Sequence, residues 1–368
     1  MLEIVLVLVA LFVIYYTHLL IKWKYPKING VPVHLPPGSM GLPVIGETIQ
    51  LLIPSYNSID IHPFIRKRIQ RYCGSIICRS NYCLVSTQGA VEVKSAISRM
   101  IFNFTAKVAF GYDLENSKGE KIENLPNFIK SLMSFPLNIP GTTFHKCMKD
   151  KDKMSNMVRH IIKERLINSP DERPGDFLDQ ALNDMASEKF LTEDFIAELS
   201  FGILFAAFES VSTTLTLAIK FLAENPLVLE ELTVVNETLR LMNIPPGLLR
   251  KALKDINVKG YTIPAGWTIM LVTPIVHLNP ETYKDPLKFN PWRWKDLDQV
   301  TLSKSFMPFG GGTRQCAGAE FSKVYMAAFL HVLVTKYRWS KVKGGRITRS
   351  PILLFPDGVH IKITSKRD

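Results

Sequence analysis

Cysteine is scarce. The 368 residues hold five, Cys73, Cys78, Cys83, Cys147 and Cys316. The count is odd and no C-x-x-C pair occurs, which excludes a disulfide-stapled scaffold and a paired-cysteine zinc site. Tryptophan is missing between Trp23 and Trp267. There is no internal repeat and no low-complexity tract, and at 46% hydrophobic and 21% charged residues the chain is neither disordered, collagen-like nor a coiled coil. Acidic residues are in deficit, 33 against 45 basic, for a net charge of +12. The excess is uneven: Thr301–Asp368 carries 12 basic and 3 acidic residues, nine of the twelve net charges. A basic balance points to lipid headgroups, an acidic protein or nucleic acid. No basic stripe with interleaved aromatics is present, so nucleic acid is not an expected partner.

Charge is also absent from Ile4–Ile21, a run interrupted only by Tyr15, Tyr16, Thr17 and His18. As a helix it reaches about 27 Å, close to the thickness of a thin bilayer core. Lys22, Trp23 and Lys24 follow, while the other flank has Glu3 and no basic side chain, so the following chain is expected in the cytoplasm. A cleaved signal peptide needs a basic leading region and a small-residue cleavage site, and neither is found. Residues 1–24 therefore read as a membrane anchor and 25–46 as a linker. Within the linker, Leu35–Pro43 holds three prolines and two glycines, a composition that forbids helix. Residues 47–368 read as one body, mainly α with small β-sheets.

Apolar residues recur at helical spacing in Ile59–Tyr72 (Ile61, Phe64, Ile65, Ile69, Tyr72). Further helices are expected over Ala90–Phe110, Leu125–Phe135, Lys151–Leu166 and Asp176–Ala186. Glu193–Glu224 is apolar nearly all round, so it should run through the centre of the body. A short hairpin is expected at Ile76–Ser86, short strands at Ile256–Leu271, and a terminal hairpin at Ile352–Ile363 over Pro356-Asp357-Gly358.

Residues 306–318 read FMPFGGGTRQCAG, placing Phe309, Gly312, Arg314, Cys316 and Gly318 in the pattern F-x-x-G-x-R-x-C-x-G. The glycines permit a tight backbone loop beside a flat cofactor. Gly318 opens a helical run, Ala319–Lys336, whose first amides favour an anion at the sulfur. Arg314 supplies a cation for an anionic group. A lone cysteine is more often a buried small apolar residue, but five filled positions outweigh that reading.

Through this loop the chain resembles the cytochrome P-450 family of haem-thiolate monooxygenases. Glu237-Thr238-Leu239-Arg240 is similar to the family's E-x-x-R, whose spacing puts a carboxylate and a guanidinium on one helix face. Phe289-Asn290-Pro291-Trp292-Arg293 is similar to the segment whose arginine completes that network. Ala206-Ala207-Phe208-Glu209-Ser210 resembles the small-small-x-acid-Thr stretch, with serine in place of threonine. A satisfied core pair is the plainer explanation of Glu209; an acid–alcohol pair delivering protons beside bound oxygen is the one the family implies. The resemblance further implies a P-450-like helical fold around haem b, with Cys316 as the iron's axial thiolate and Phe309, Gly312 and Gly318 shaping its loop. Arg314 and Arg250 would stand near the propionates. It also implies electrons from NADPH through a reductase, an apolar substrate, and a single-pass endoplasmic reticulum anchor with a cytosolic body. Residues 262–294 and 327–349 are worded like plant microsomal members that oxidise sterols and triterpenoids.

The chain departs from the family in length. It passes from the early hairpin to a later helix between Thr87 and Ile101, without the family's W-x-x-x-R helix, and Thr233-Val234 joins two helices that are normally separate into one run, Pro226–Met242. The leading expectation is a monooxygenase placing one atom of O2 into an apolar substrate. The alternative is a shortened, non-catalytic relative with impaired haem binding.

Overall fold

The computed structural model of the chain describes residues 14–18, 27–28, 31–32, 90–112, 136–167, 173, 175–225, 231–349 and 352–366. Residues 14–18 are helical and exposed, and β1 (Lys27–Ile28) pairs with β2 (Val31–Pro32). The rest of the anchor and linker, and the elements expected at Ile59–Tyr72, Ile76–Ser86 and Leu125–Phe135, lie outside the described residues.

Strand β3 (Val91–Glu92) leads straight into helix α1 (Val93–Phe110). Helix therefore begins three residues later than the apolar pattern suggests. The Glu92 carboxylate sets that start: it accepts the backbone N–H groups of Lys94 (3.2 Å) and Ser95 (2.7 Å), two of the donors a helix start leaves unpaired. α1 ends at Gly111, whose φ of 63° is the left-handed conformation of a helix stop. α2 (Thr143–Ile167) extends eight residues ahead of the expected start, and α3 (Phe177–Asp184) opens on a capping box of Asp176 and Asp179. Arg165 of α2 ties these elements together, donating to Asp176, to Asp179 and to the Phe110 carbonyl that ends α1.

Helix α4 (Glu193–Glu224) is capped by Thr192 and runs unbroken for 32 residues. Among the described residues it alone is long and apolar enough to cross a membrane, yet most of its apolar stretch is buried in the body. Leu204, Phe208, Leu215 and Leu217 of α4 pack with Phe102 and Ala106 of α1, Val158 and Ile162 of α2, and Leu330 of the helix that follows the cysteine loop. Burying side chains of this size contributes roughly 1.5–3 kcal/mol each, so α4 is the axis of the core. α5 (Glu231–Met242) lies against it.

Two antiparallel pairs are nested after α5. β4 (Leu248–Lys251) pairs with β7 (Thr268–Leu271), and between them β5 (Ile256–Val258) and β6 (Tyr261–Ile263) form a hairpin. Its tip, Lys259-Gly260, takes positive φ at both residues (50° and 81°), as a two-residue hairpin turn requires. α6 (Pro274–His277), a 3-10 turn at Pro291–Lys295 and α7 (Gln299–Ser305) lead to the cysteine loop, from which α8 (Ala319–Lys336) departs.

The C-terminal strands do not form the hairpin expected over Pro356–Gly358. β10 (Leu353–Leu354) pairs with β9 (Thr348–Arg349), whereas β11 (Val359–Ser365) lies between β3 and β8 (Tyr337–Gly344). The turn is thus a crossover between two sheets. β8 offers β11 a partner along its whole length, from Val359 opposite Gly344 to Ser365 opposite Tyr337. That pairing also buries Val359 and Ile361 in the core, which a two-residue partner such as β10 could not match.

Candidate active site

The cysteine loop is tied at both ends. Gly310 N–H donates to Met307 O (3.1 Å), and Cys316 N–H donates to Phe309 O (2.9 Å). Gly310 and Gly312 sit at φ of 74° and 70°, where a Cβ would be strained. The loop therefore folds back and leaves Cys316 exposed just ahead of α8. Gly318 keeps the space beside the sulfur bare: a Cβ there would stand 4.0 Å from Cys316 Sγ. Phe309 packs on the core, with the Lys323 ammonium 5.6 Å from its ring centre. Arg314 is exposed and makes no ion pair among the described residues. Arg250 on β4 is half-buried, and among the described residues its side chain donates to the neighbouring Leu249 carbonyl (2.9 Å). β4 adjoins the loop through Leu248, which lies 3.5 Å from where a Gly310 Cβ would be.

Glu237, Arg240 and Arg293 come together in a closed network. Glu237 and Arg240 are both 0% exposed. Arg240 grips the carboxylate with both arms of its fork, Nη2 to Oε1 at 2.8 Å and Nε to Oε2 at 2.9 Å. Arg293 Nε donates to Oε1 at 3.1 Å. Two further donors were not foreseen: Asn290 N–H to Oε1 (3.0 Å) and Trp294 Nε1–H to Oε2 (3.2 Å). Arg240 spends its remaining donor on the carbonyls of His277 and Pro286, and Arg293 reaches those of Lys284 and Lys288. The second cation is thus neutralised by carbonyl dipoles, and burial holds the Arg293 guanidinium below its usual range despite Glu237. Such a pair is stable in the interior only because every polar atom finds a partner.

Glu209 and Ser210 do not bond to each other. Ser210 Oγ turns back along α4 to Ala206 O (2.6 Å) and is half-buried. Glu209 points to α1, where Lys94 Nζ lies 3.0 Å from Oε1. The same ammonium donates to Ser212 Oγ (2.7 Å) and Thr213 Oγ1 (2.6 Å), and Ser98 joins through Ser212 (3.1 Å). Burial lowers the Lys94 pKa, and the Glu209 charge opposes that shift. Lys94 escaped the sequence reading because a lysine in an amphipathic helix ordinarily faces water.

His277 also escaped it. The imidazole is buried, and burial together with the Arg240 charge depresses its pKa to about 4. Arg349 is buried too, donating to the Leu241 and Met242 carbonyls that end α5, and burial lowers its pKa to about 10.

A thiol at a loop apex, an E-x-x-R network locked to a following arginine, and a core helix bearing an acid and an alcohol define a haem-thiolate enzyme fold. The chain belongs to the cytochrome P450 family, whose sequence profile matches residues 61–234 and 233–361. It is 42% identical over 475 aligned positions to cucurbitadienol 11-hydroxylase of Siraitia grosvenorii, with 99% of each chain covered. It is 41% identical over 472 positions to beta-amyrin 16-alpha-hydroxylase of Maesa lanceolata, covering 97% of this chain and 98% of that one. In structure it is similar to a retinoic-acid-bound cyanobacterial P450, CYP120A1, with a TM-score of 0.64, 24% identity and coverage of 75% of this chain and 70% of that one. The chain is thus a P450 monooxygenase, similar to plant enzymes that hydroxylate triterpenoids.

The residues present fit the family's haem. The exposed Cys316 thiol and two arginines, Arg314 and Arg250, that make no ion pair among the described residues are the kind of donor set that an iron porphyrin with two carboxylates requires.

Proposed function

We propose that this chain hydroxylates a triterpenoid or sterol-like polycycle, with Cys316 holding the haem iron. The observation that carries this reading is the contrast between its two described cysteines: Cys316 is exposed in a loop built for close approach, while Cys147 is buried. The two hydroxylase relatives, matched nearly end to end, support the substrate class. When bound, the haem supplies the oxygen chemistry: a substrate C–H becomes C–OH, the second oxygen atom leaves as water, and NADPH supplies two electrons through a reductase. The protein's part is to hold and shield. Arg314 and Arg250 would neutralise the propionates. Phe309, Gly312 and Gly318 would keep the sulfur accessible to iron. Ser210, on the partly open side of α4, would hold a proton or water near the substrate, and Glu209 would exchange protons only after leaving Lys94. The basic C-terminal region would meet an acidic reductase or the lipid surface. Residues 1–24 would anchor a cytosolic body to the endoplasmic reticulum.

The reading of a shortened, non-catalytic relative draws no support from the comparisons. What favours a real internal shortening is alignment length: 475 aligned positions against 368 residues leave more than a hundred of the relative's positions unmatched. The family profile also meets itself at 233–234.

The test is the full chain in microsomes with a reductase, NADPH and either cucurbitadienol or beta-amyrin. A thiolate-type Soret band in the reduced carbonyl form and a monohydroxylated product are expected. Haem-loaded protein that oxidises neither would overturn the substrate class, and absence of the band would overturn Cys316 as ligand.

A further inference from the structure

We infer that His277 is a positioning residue for the Cys316 loop, acting through the backbone N–H of Met307. This rests on the assignment of Cys316 as the haem ligand. His277 closes α6 and is 1% exposed. Its Nε2 lies 2.9 Å from Met307 N. A backbone N–H can only donate, so Nε2 is unprotonated and the ring proton sits on Nδ1. That proton points to Asn243 Oδ1, 2.6 Å away. The Asn243 amide is oriented in turn, because its Nδ2 donates to Arg240 O (3.0 Å).

The tautomer is therefore fixed from α5, and the imidazole is a rigid strut between the end of α5 and the start of the loop. Arg240 holds the strut's base, donating to His277 O at 2.8 Å. Phe306 flanks the ring at 5.9 Å between centres and is itself packed edge-on to Trp294 at 4.5 Å. Met307 is where the loop's own bonding begins, since its carbonyl accepts from Gly310 and Phe309 O then accepts from Cys316. The path from the buried Glu237–Arg240 pair to the Cys316 backbone is thus a run of short, directional contacts along the loop. Groups that fix the frame behind a ligand set where the ligand points, and here the frame is the loop backbone that His277 holds at Met307. The depressed pKa of His277 keeps Nε2 an acceptor at neutral pH.

Two conservative variants separate this role from simple packing. In His277→Gln, Oε1 replaces Nε2 and still accepts from Met307, while the Asn243 bond is lost. In His277→Asn, Nδ2 replaces Nδ1 and still donates to Asn243, while nothing reaches Met307. Each is expressed as the full chain with haem, and the thiolate-type and thiol-type bands of the reduced carbonyl form are compared, together with the melting temperature. The glutamine variant is expected to keep the wild-type band ratio, and the asparagine variant to raise the thiol-type fraction at least several-fold at a similar melting temperature. An asparagine variant with the wild-type ratio, or two variants losing the thiolate band in step with melting temperature, overturns the proposal. If neither variant loads haem, hydrogen–deuterium exchange of residues 306–310 in the unsubstituted protein decides. Protection like that of α5 supports the strut, and exchange at exposed-loop rates overturns it. Failure of the Cys316 assignment would look different, with no thiolate-type band even in the unsubstituted protein.

Discussion

Lys94 and Glu209 are paired at 3.0 Å across the contact between α1 and α4, 115 positions apart in the chain. The ammonium is held by the carboxylate, two hydroxyls and the Glu209 carbonyl, and its backbone is held by the Glu92 cap. Glu92 also accepts the Val359 N–H (3.2 Å), so the sheet fixes the start of α1 and α1 fixes the partner of Glu209.

Lys94→Met should leave a buried carboxylate without its cation. Glu209 Oε2 has no hydrogen-bond partner among the described residues and Oε1 would keep the Thr213 hydroxyl (3.2 Å), a neutral donor that does not replace the cation. Removing one partner of such a pair costs about 3–5 kcal/mol, with the lower end expected because Lys94 is not wholly dry. The double variant Lys94→Met, Glu209→Leu should recover most of that. Melting curves of the two proteins check it; a single variant as stable as wild type would mean that solvent already screens the pair.

The cysteine loop and the Glu237, Arg240 and Arg293 set were legible because each is a short motif whose chemistry is local. The long central helix was legible because no polar face interrupts it. Lys94, His277 and Trp294 were not. Their partners lie 115, 30 and 57 positions away, and nothing in a single lysine, histidine or tryptophan reports such a distance. The terminal hairpin misled for a related reason: a Pro-Asp-Gly turn specifies a reversal but not which strands pair. That was decided by the longer β8 partner and by burial of Val359 and Ile361.

Arg240→Ala should give little haem-loaded protein. It strands the Glu237 carboxylate at zero exposure with only Arg293 as cation, and it frees the carbonyls of His277 and Pro286. The expected loss is roughly 3–5 kcal/mol, a large part of a typical domain's stability. Arg240→Lys should rescue poorly, since an ammonium cannot reproduce the two-armed grip. Soluble yield and haem per protein measure both.

The pH dependence of stability should carry the signature of His277. Its folded pKa, about 4, lies below its ordinary value of 6.5. As pH falls through 6.5 the unfolded chain takes up a proton that the folded protein refuses until about 4. The stabilisation is therefore complete above 6.5 and lost between 6.5 and 4. A shift of this size corresponds to roughly 3 kcal/mol. His277→Gln should flatten the dependence of the denaturant midpoint in that window. A variant with the wild-type slope would place the titration elsewhere.

Cys316→Ala should abolish thiolate character without substitution by the other described cysteine. Cys147 is buried on α2, where burial and then the Asp150 charge push its thiol up to about 11. Any thiolate-type band surviving in the carbonyl spectrum of the Cys316→Ala protein would contradict the assignment.

The last prediction concerns an apolar face that stands exposed on α1 and α8. Met100, Phe104 and Val108 recur at four-residue intervals on α1 and are exposed, as are Phe321, Val324 and Val332 on α8, with Val324 at 68%. The two rows are neighbours: Phe104 lies 6.2 Å from Phe321 and 5.1 Å from Tyr325, ring centre to ring centre. Apolar side chains aligned on two adjacent helices are what a third helix would cover, and exposed apolar patches of this kind drive association. The sequence resemblance places a missing segment just ahead of α1. Restoring a family-like segment between Thr87 and Met100 should therefore bury both rows, raise the melting temperature and raise haem per protein. At about 25 cal/mol per Å², covering a few hundred Å² contributes several kcal/mol before the entropy of ordering the new segment is subtracted. The measurements are binding of an apolar fluorescent dye, melting temperature and haem content of the short and restored chains. Dye binding that falls while haem content rises fits the argument. Equal dye binding and equal haem content in both chains would show that the face is already covered and the shortening harmless.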